Sequence, residues 1–289
     1  MQRKFRLFLA IIFTIFLISC QSNNSNSGES ETGKEIVEEE NVNTETDNNT
    51  DTESKEEKEL VGQDNEKADV EQEEQETESP PQYELTSNWS VKPLKEEVNE
   101  KVVLLTIDDA PDAYALDMAK TLKELDAEAI FFVNGHFLDT EEEKQILKEI
   151  HNMGFAIGNH TYNHQALSEV SEEKQKEEIL SLNQLIEEII GEKPKFFRAP
   201  HGDNTEYATK LVEQEGMLLM NWSFGYDWNQ EYMTEEAVAD IMVNTHLLGS
   251  GANLLMHDRE WTAGALDEIV NGIREKGFEI VDPDLLKTP

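Results

Sequence analysis

The sequence predicts an α/β fold, arranged as a closed or nearly closed barrel, from about residue 91 to its end. Short apolar runs alternate there with longer stretches in which apolar residues recur at helical spacing. Seven such units in one domain favour parallel strands that close into a barrel. Polar residues recur at the same position of the strand–helix unit, directly after a strand. From the pattern alone, an open, doubly wound sheet is the alternative.

The predicted strands are short apolar runs. They are Val102–Ile107, Ala129–Val133, Phe155–Gly158, Lys195–Arg198, Leu218–Trp222, Asn253–Met256 and Phe278–Val281. Two of the intervening helices are predicted from apolar stripes with 3.6-residue spacing. The first stripe is Leu116, Ala119, Leu122 and Leu125, and the second is Ile179, Leu182, Leu185, Ile186 and Ile189. Gly191, followed by Pro194, is expected to end the second helix.

The first 20 residues resemble the signal segment of a bacterial lipoprotein. A basic start is followed by the apolar run Leu7–Ile18, which is shorter than the roughly 20 residues that span a bilayer. The run leads to Cys20, the single cysteine of the chain, in a context that resembles a lipobox. We expect Cys20 to be lipidated and to anchor the protein to the outer face of the membrane. An ordinary secretory signal is the alternative.

Residues 21–90 are predicted to form a disordered acidic linker. They contain 22 Asp and Glu against 4 Lys and Arg, and this composition cannot bury enough apolar surface to fold. A binding role for this run is the alternative to a solvated spacer. The predicted folded domain, 91–289, carries a net charge of −23, which would repel phosphate backbones. Nucleic acid is therefore not an expected partner, and we expect a monomer.

The polar residues at the predicted strand ends are of the types that carry chemistry. They are Asp108, Asp109, His160, His164, Arg198, Asp227 and His257. In a β/α barrel the carboxyl ends of the strands face one mouth, so these side chains are expected to converge. Two histidines four residues apart can share one face of a helical turn, and with a carboxylate they form a common catalytic metal set.

Five segments resemble, in order, the five motifs of the NodB-homology polysaccharide deacetylases, carbohydrate esterase family 4. They are Thr106–Pro111, Asn159–His164, Arg198–Gly202, Tyr226–Trp228 and Leu254–Asp258. The resemblance covers roughly residues 98–284 and implies the fold of that family, a distorted (β/α)₇ barrel. Five motifs in the same order make the resemblance highly specific.

The resemblance also implies a role for each polar residue of the early motifs. Asp109, His160 and His164 would bind a divalent metal, with zinc expected and cobalt or nickel as alternatives. Asp108 would be the general base, and Arg198 would pair with it and favour its ionised form. The alternatives are a helix cap for Asp108 and an ordinary surface ion pair for Arg198.

The resemblance implies that the later motifs supply the general acid, a hydrogen-bond donor to the oxyanion and a pocket for the acetyl group. His257 would protonate the leaving amine, and Asp227 would hold the ring cationic. The backbone N–H of His201 would help to stabilise the oxyanion. Trp228 and Leu255 would wall a small pocket for the acetyl methyl group. A structural histidine at 257 and a plain core aromatic at 228 are the alternatives.

Three positions depart from the usual family pattern. Ile107 stands where the family has Phe, Ala110 where it has Gly, and His201 where it has Tyr or Phe. Because alanine requires an ordinary φ angle, we expect the loop at Ala110 to differ in shape. The stretch Trp222–Trp228 is also one residue shorter than common forms of the fourth motif.

The resemblance implies metal-dependent removal of N-acetyl groups from a cell-wall polysaccharide, with peptidoglycan N-acetylglucosamine as the expected substrate. The expected location is extracytoplasmic, on a lipid anchor facing the wall. Alternatives with the same chemistry are N-acetylmuramic acid, chitin-like oligomers, an exopolysaccharide or an O-acetyl ester. A further alternative is an inactive wall-binding lipoprotein with the same fold.

Overall fold

The computed structural model describes residues 79–289. The predicted signal segment, the lipidated Cys20 and most of the predicted linker lie outside the described residues. Within the described range, no helix combines the length and the apolar character needed to cross a membrane.

The core of the described part is a single curled sheet in which all strand pairs are parallel. Its strands are β3 (Val102–Ala110), β4 (Ile130–Val133), β5 (Ala156–Asn159), β6 (Phe196–Phe197), β7 (Leu218–Leu219), β8 (Ala252–His257) and β9 (Glu279–Ile280). The order is β7-β6-β5-β4-β3-β8, and β9 pairs with the start of β3. A strand is observed at each of the seven predicted places, although β3 extends to Ala110 and β6 and β7 cover only two residues each.

The two edges of this sheet meet. The chain that leaves β7 runs along the other edge, where the Ser223 N–H donates to the Asn253 carbonyl at 2.8 Å. The Leu255 N–H donates to the Phe224 carbonyl at 2.9 Å. The predicted distorted barrel is therefore confirmed, and the open, doubly wound sheet is not observed.

Six α-helices of the described part connect the strands. They are α1 (Ala115–Glu124), α2 (Glu141–Asn152), α3 (Glu172–Ile190), α4 (Glu206–Gln214), α5 (Glu235–Asn244) and α6 (Glu260–Glu275). The apolar faces of α1, α2, α3, α5 and α6 pack with the buried strand residues in the main hydrophobic core, whereas α4 packs in a smaller cluster with Phe197. Both predicted stripes lie on helices, except that Leu125 is the C-cap directly after α1. Helix α3 ends at Gly191, which has a left-handed conformation with φ 88°.

An antiparallel hairpin precedes the barrel, formed by β1 (Tyr83–Leu85) and β2 (Val91–Pro93). The predicted linker extended to residue 90, whereas Tyr83 is buried and packs in a second hydrophobic cluster. Gly251 allows the hairpin to approach, because a Cβ there would lie 1.9 Å from the Val91 carbonyl oxygen. The ordered domain thus begins earlier than predicted, because strands of three residues leave almost no periodic pattern.

Candidate active site and metal centre

Three of the predicted site residues form a compact cluster at the carboxyl ends of β3 and β5. One ligand atom from each of Asp109, His160 and His164 lies within 4.8 Å of the others. Asp109 Oδ1 is 3.4 Å from His164 Nε2 and 3.8 Å from His160 Nε2. The two imidazole rings are 4.9 Å apart between centroids. Two imidazole nitrogens and one carboxylate oxygen therefore point at a common centre.

The loop that carries both histidines has an unusual backbone. Thr161 and His164 have φ angles of 68° and 53°, a left-handed region that non-glycine residues adopt at a cost. Side chains hold this shape: Asn159 accepts the Thr161 N–H at 2.8 Å, and Glu178 accepts the Asn163 N–H at 2.6 Å. The ligand geometry is thus fixed by buried hydrogen bonds.

His160 is held in the form that binds a metal. Its Nδ1 lies 2.7 Å from the Arg198 carbonyl oxygen, which can only accept a hydrogen bond, so Nδ1 carries the proton. Nε2 is then left with a lone pair that can bind a metal. Burial lowers the pKa of His160 to about 3, so the ring is neutral near pH 7. Burial also lowers the pKa of His164. This donor set fits a divalent cation of the zinc type and leaves further coordination positions open.

Asp108 is buried directly beside this cluster. Its Oδ1 accepts a hydrogen bond from Arg198 Nη1 at 2.6 Å, and its Oδ2 lies 3.6 Å from His160 Nε2. Burial raises the pKa of the Asp108 carboxyl above its ordinary value, and the Arg198 charge opposes part of that rise. Arg198 is fully buried and also donates to Thr106 Oγ1 at 2.8 Å. Neither the helix cap nor the surface ion pair is observed.

His257 and Asp227 form a second polar pair at the same mouth. His257 Nδ1 lies 2.7 Å from Asp227 Oδ1, and Asp227 Oδ2 accepts the His257 N–H at 2.6 Å. Thr262 also donates to Oδ2, at 2.9 Å, so the buried carboxylate is fully oriented. Burial lowers the pKa of His257, but the hydrogen bond and charge of Asp227 outweigh it and the pKa is raised overall. The cationic form of the ring is therefore more stable than in an ordinary histidine.

The remaining predicted residues lie around this mouth. His201 has φ 59° in the short turn Pro200–Gly202, and its exposed ring lies 5.0 Å from that of His164. Trp228 is 44% exposed and packs edge-on against His257, with centroids 5.4 Å apart. Leu255 is buried on β8. A Cβ at Gly225 would lie 2.7 Å from the Trp228 ring and 3.0 Å from Leu255 Cβ. The two predicted pocket walls therefore both adjoin Gly225.

The sequence reasoning missed two residues that directly follow His257. The Asp258 carboxylate is buried and accepts the backbone N–H groups of residues 112–114 at 2.6 to 3.1 Å, which fixes the loop after β3. Arg259 donates from Nη2 to Asp109 Oδ2 at 2.7 Å. Asp258 is the last residue of the fifth motif and Arg259 follows it directly, and this position was the one available signal.

A cavity of about 1000 Å³ lies away from these residues. It is at the opposite, amino-terminal ends of β5 and β6, lined among others by Ala156, Phe196 and Asp282. None of the predicted site residues lines it. The site is therefore identified by the chemistry of its side chains and not by the size of a cavity.

Fold and site together define a class of protein: a parallel β/α barrel with a His₂–Asp cluster, a buried Asp–Arg pair and a His–Asp pair at one mouth. A model of the family described as polysaccharide deacetylase matches residues 95–220. A peptidoglycan-N-acetylglucosamine deacetylase of Bacillus cereus is 30% identical over 200 residues, covering 66% of this chain and 70% of the relative.

Solved structures show the same fold. A crystal structure of the Bc1960 peptidoglycan N-acetylglucosamine deacetylase matches with a TM-score of 0.58 and 28% identity, over 63% of this chain and 86% of that one. BA3943 from Bacillus anthracis, a pseudoenzyme of carbohydrate esterase family 4, matches with a TM-score of 0.57 and 26% identity. In that case the match covers 63% of each chain, less than two thirds.

The chain belongs to the polysaccharide deacetylase family, the NodB-homology domain of carbohydrate esterase family 4. The predicted family, the predicted fold and the predicted class of enzyme, a polysaccharide deacetylase, are confirmed.

Proposed function

We propose that this protein is a metal-dependent hydrolase that removes N-acetyl groups from peptidoglycan N-acetylglucosamine. One observation carries the proposal: Asp109, His160 and His164 converge within 4.8 Å beside the buried Asp108–Arg198 pair. Of the two adjacent carboxylates, Asp109 lies near both imidazoles and Asp108 is paired with the buried Arg198, so they provide separate groups for ligation and for proton transfer. The His257–Asp227 pair at the same mouth completes an acid and base set.

Asp109, His160 and His164 would hold the metal, with zinc proposed and cobalt or nickel as alternatives. When bound, the ion would polarise the acetamide carbonyl and lower the pKa of the attacking water. Asp108 would accept the proton of that water. Arg198 favours the anionic form of Asp108 and, bonded to Thr106 as well, keeps the carboxylate from turning.

His257 would donate a proton to the leaving amine, since Asp227 favours the cationic ring. The hydrogen bond from Nδ1 to Asp227 also fixes the orientation of the ring. Its Nε2 is then the proton-donating atom. The backbone N–H of His201 would donate to the oxyanion that develops on the acetyl oxygen. Trp228 and Leu255, with Gly225 between them, would enclose the acetyl methyl group.

The proposed substrate and location are supported by other observations than the proposed chemistry. The matched relative from Bacillus cereus and the Bc1960 structure are both named as peptidoglycan N-acetylglucosamine deacetylases, which supports that sugar as the substrate. The lipobox-like segment that ends at Cys20 supports lipid anchoring outside the cytoplasm. An anchored protein on a linker would act on wall polymer near the membrane.

The direct test is acetate release by the purified, zinc-loaded protein. We expect release from peptidoglycan and from N-acetylglucosamine oligomers, and we expect a chelator to abolish it. Asp108→Asn should lower the rate about a hundredfold or more with zinc content unchanged, because it removes the general base. Asp117→Asn, which changes an exposed acid on α1, is the matched control.

Two outcomes would contradict the proposal. Unchanged release by Asp108→Asn would exclude that residue as the base. A protein that binds zinc but releases no acetate from any N-acetylated glycan would support the inactive wall-binding alternative. Mass spectrometry of treated wall fragments and of chitin-like oligomers identifies the preferred substrate.

A further inference from the structure

We propose that Arg259 is a positioning residue that restricts Asp109 to one ligand oxygen. It thereby weakens metal binding and keeps a coordination position free for the reaction. This inference rests on the proposed metal-dependent function.

The two oxygens of Asp109 face different partners. Oδ1 faces the imidazoles, 3.4 Å from His164 Nε2 and 3.8 Å from His160 Nε2. Oδ2 accepts a hydrogen bond from Arg259 Nη2 at 2.7 Å. A carboxylate can bind a metal through one or both oxygens, and an oxygen engaged by a guanidinium is less available to the ion.

Arg259 is itself held in place. Its Nη1 donates to the Asp258 carbonyl at 2.7 Å and lies 3.5 Å from an oxygen of Asp112. The guanidinium therefore links the loop after β8 to the loop after β3, with its side chain 34% exposed. Because a link between two loops also stabilises the fold, the test measures metal binding and melting temperature separately.

The charge pattern around the adjacent carboxylates supports a positioning role. Asp108 is paired with Arg198 at 2.6 Å, and Asp109 is paired with Arg259 at 2.7 Å. Each carboxylate thus has its own guanidinium. The pairing with Arg259 weakens cation binding by Asp109 in two ways. One carboxylate oxygen is occupied, and a positive charge lies close to the position of the cation.

Zinc affinity of the purified protein is the decisive measurement, made by competition with a chromophoric chelator. Arg259→Gln removes the charge and frees Oδ2, so we expect about tenfold tighter zinc binding. The absorption spectrum of the cobalt-loaded variant should shift and weaken, because a second carboxylate oxygen raises the coordination number. kcat should fall more than KM changes, since the added ligand occupies a position that the reaction needs.

Two further variants serve as controls. Arg259→Lys keeps the charge, so its zinc affinity and cobalt spectrum should stay close to those of the unmodified protein. Lys210→Gln removes one exposed positive charge on α4 and should leave zinc affinity unchanged.

Weaker or unchanged zinc binding by Arg259→Gln would overturn the inference. A fall in melting temperature with an unchanged cobalt spectrum would do the same, because it would show structural support alone. Absence of zinc binding by the unmodified protein would instead refute the proposed function.

Discussion

Asp108 and Asp109 are neighbours in sequence but lie in different surroundings. Asp109 has a φ of 61° and lies at an irregularity near the end of β3, where the register with β4 shifts between Ile107 and Ala110. Asp108 remains on the strand, paired with His257 of β8 in the sheet register and buried against Arg198. Ala110 replaces the usual glycine, and we expected a changed loop there. The left-handed residue is Asp109, while Ala110 is outside the positive-φ region and its methyl group is buried.

The raised pKa of His257 leads to a pH prediction. If the cationic ring is the acid, activity falls as pH rises through that pKa. Asp227→Asn removes the charge that raises the pKa, so the alkaline limb of the kcat profile should move to lower pH. We also expect kcat at pH 7 to fall about tenfold or more.

The measurement is a pH profile of acetate release by the zinc-loaded protein. Asp240→Asn changes an exposed acid on α5 and should leave the profile in place. A profile that keeps its alkaline limb after Asp227→Asn would show that the ring of His257 is not the acid.

At the scale of elements, α3 has buried polar residues that support the loop carrying His160 and His164. Asn159 donates to Asn183 at 2.8 Å and to the Ile179 carbonyl at 2.9 Å. Glu178 accepts two hydrogen bonds from Asn163, which lies between the two histidines. A helix that otherwise buries an aliphatic stripe thus also holds Asn163, the residue next to His164.

We expect Glu178→Ala to weaken zinc binding about tenfold or more, because residues that orient metal ligands contribute at this level. The matched control is Glu177→Ala on the same helix turn, where the side chain is 65% exposed and also pairs with Lys174. Calorimetric zinc titration of both variants distinguishes them. Equal affinities would show that the loop keeps its shape without the buried carboxylate.

At the scale of the whole molecule, the site joins residues that are about 150 positions apart, from Asp108 to His257. The β3–β8 pairing aligns Asp108 with His257, and the β4–β5 and β5–β6 pairings bring His160 and Arg198 beside them. A metal at this point would bind the folded chain only, since the unfolded chain has no such cluster. Metal binding and folding should therefore be coupled.

This coupling predicts a metal-dependent melting temperature. Zinc at about 100 times its Kd stabilises by about 2.7 kcal/mol, which corresponds to roughly 5–10 °C in a domain of this size. His164→Ala should remove most of this shift, whereas the exposed His246→Ala should retain it. Scanning calorimetry with and without zinc is the measurement, and an equal shift in both variants would contradict the proposed ligand set.

Much of the fold could be predicted because each strand is a local apolar run and each helix has a regular stripe. Strands β3 to β9 and the end of α3 at Gly191 needed only this local information. The hairpin of β1 and β2 could not be predicted, since its stability comes from contacts with distant residues. Tyr83, for example, hydrogen-bonds to the Asn99 carbonyl and lies over the barrel end near Leu286.

By itself, the sequence determined at which strand ends the polar side chains lie and predicted which of them carry the chemistry, because motif residues and strand periodicity can be read locally along the chain. Only the tertiary structure decided which oxygen of Asp109 faces the imidazoles, that Arg259 holds the other, and that Glu178 supports the histidine loop. These contacts join separate segments of the chain. Their geometry depends on the curvature of the sheet and on buried hydrogen bonds, and neither produces a periodic signal in the residues.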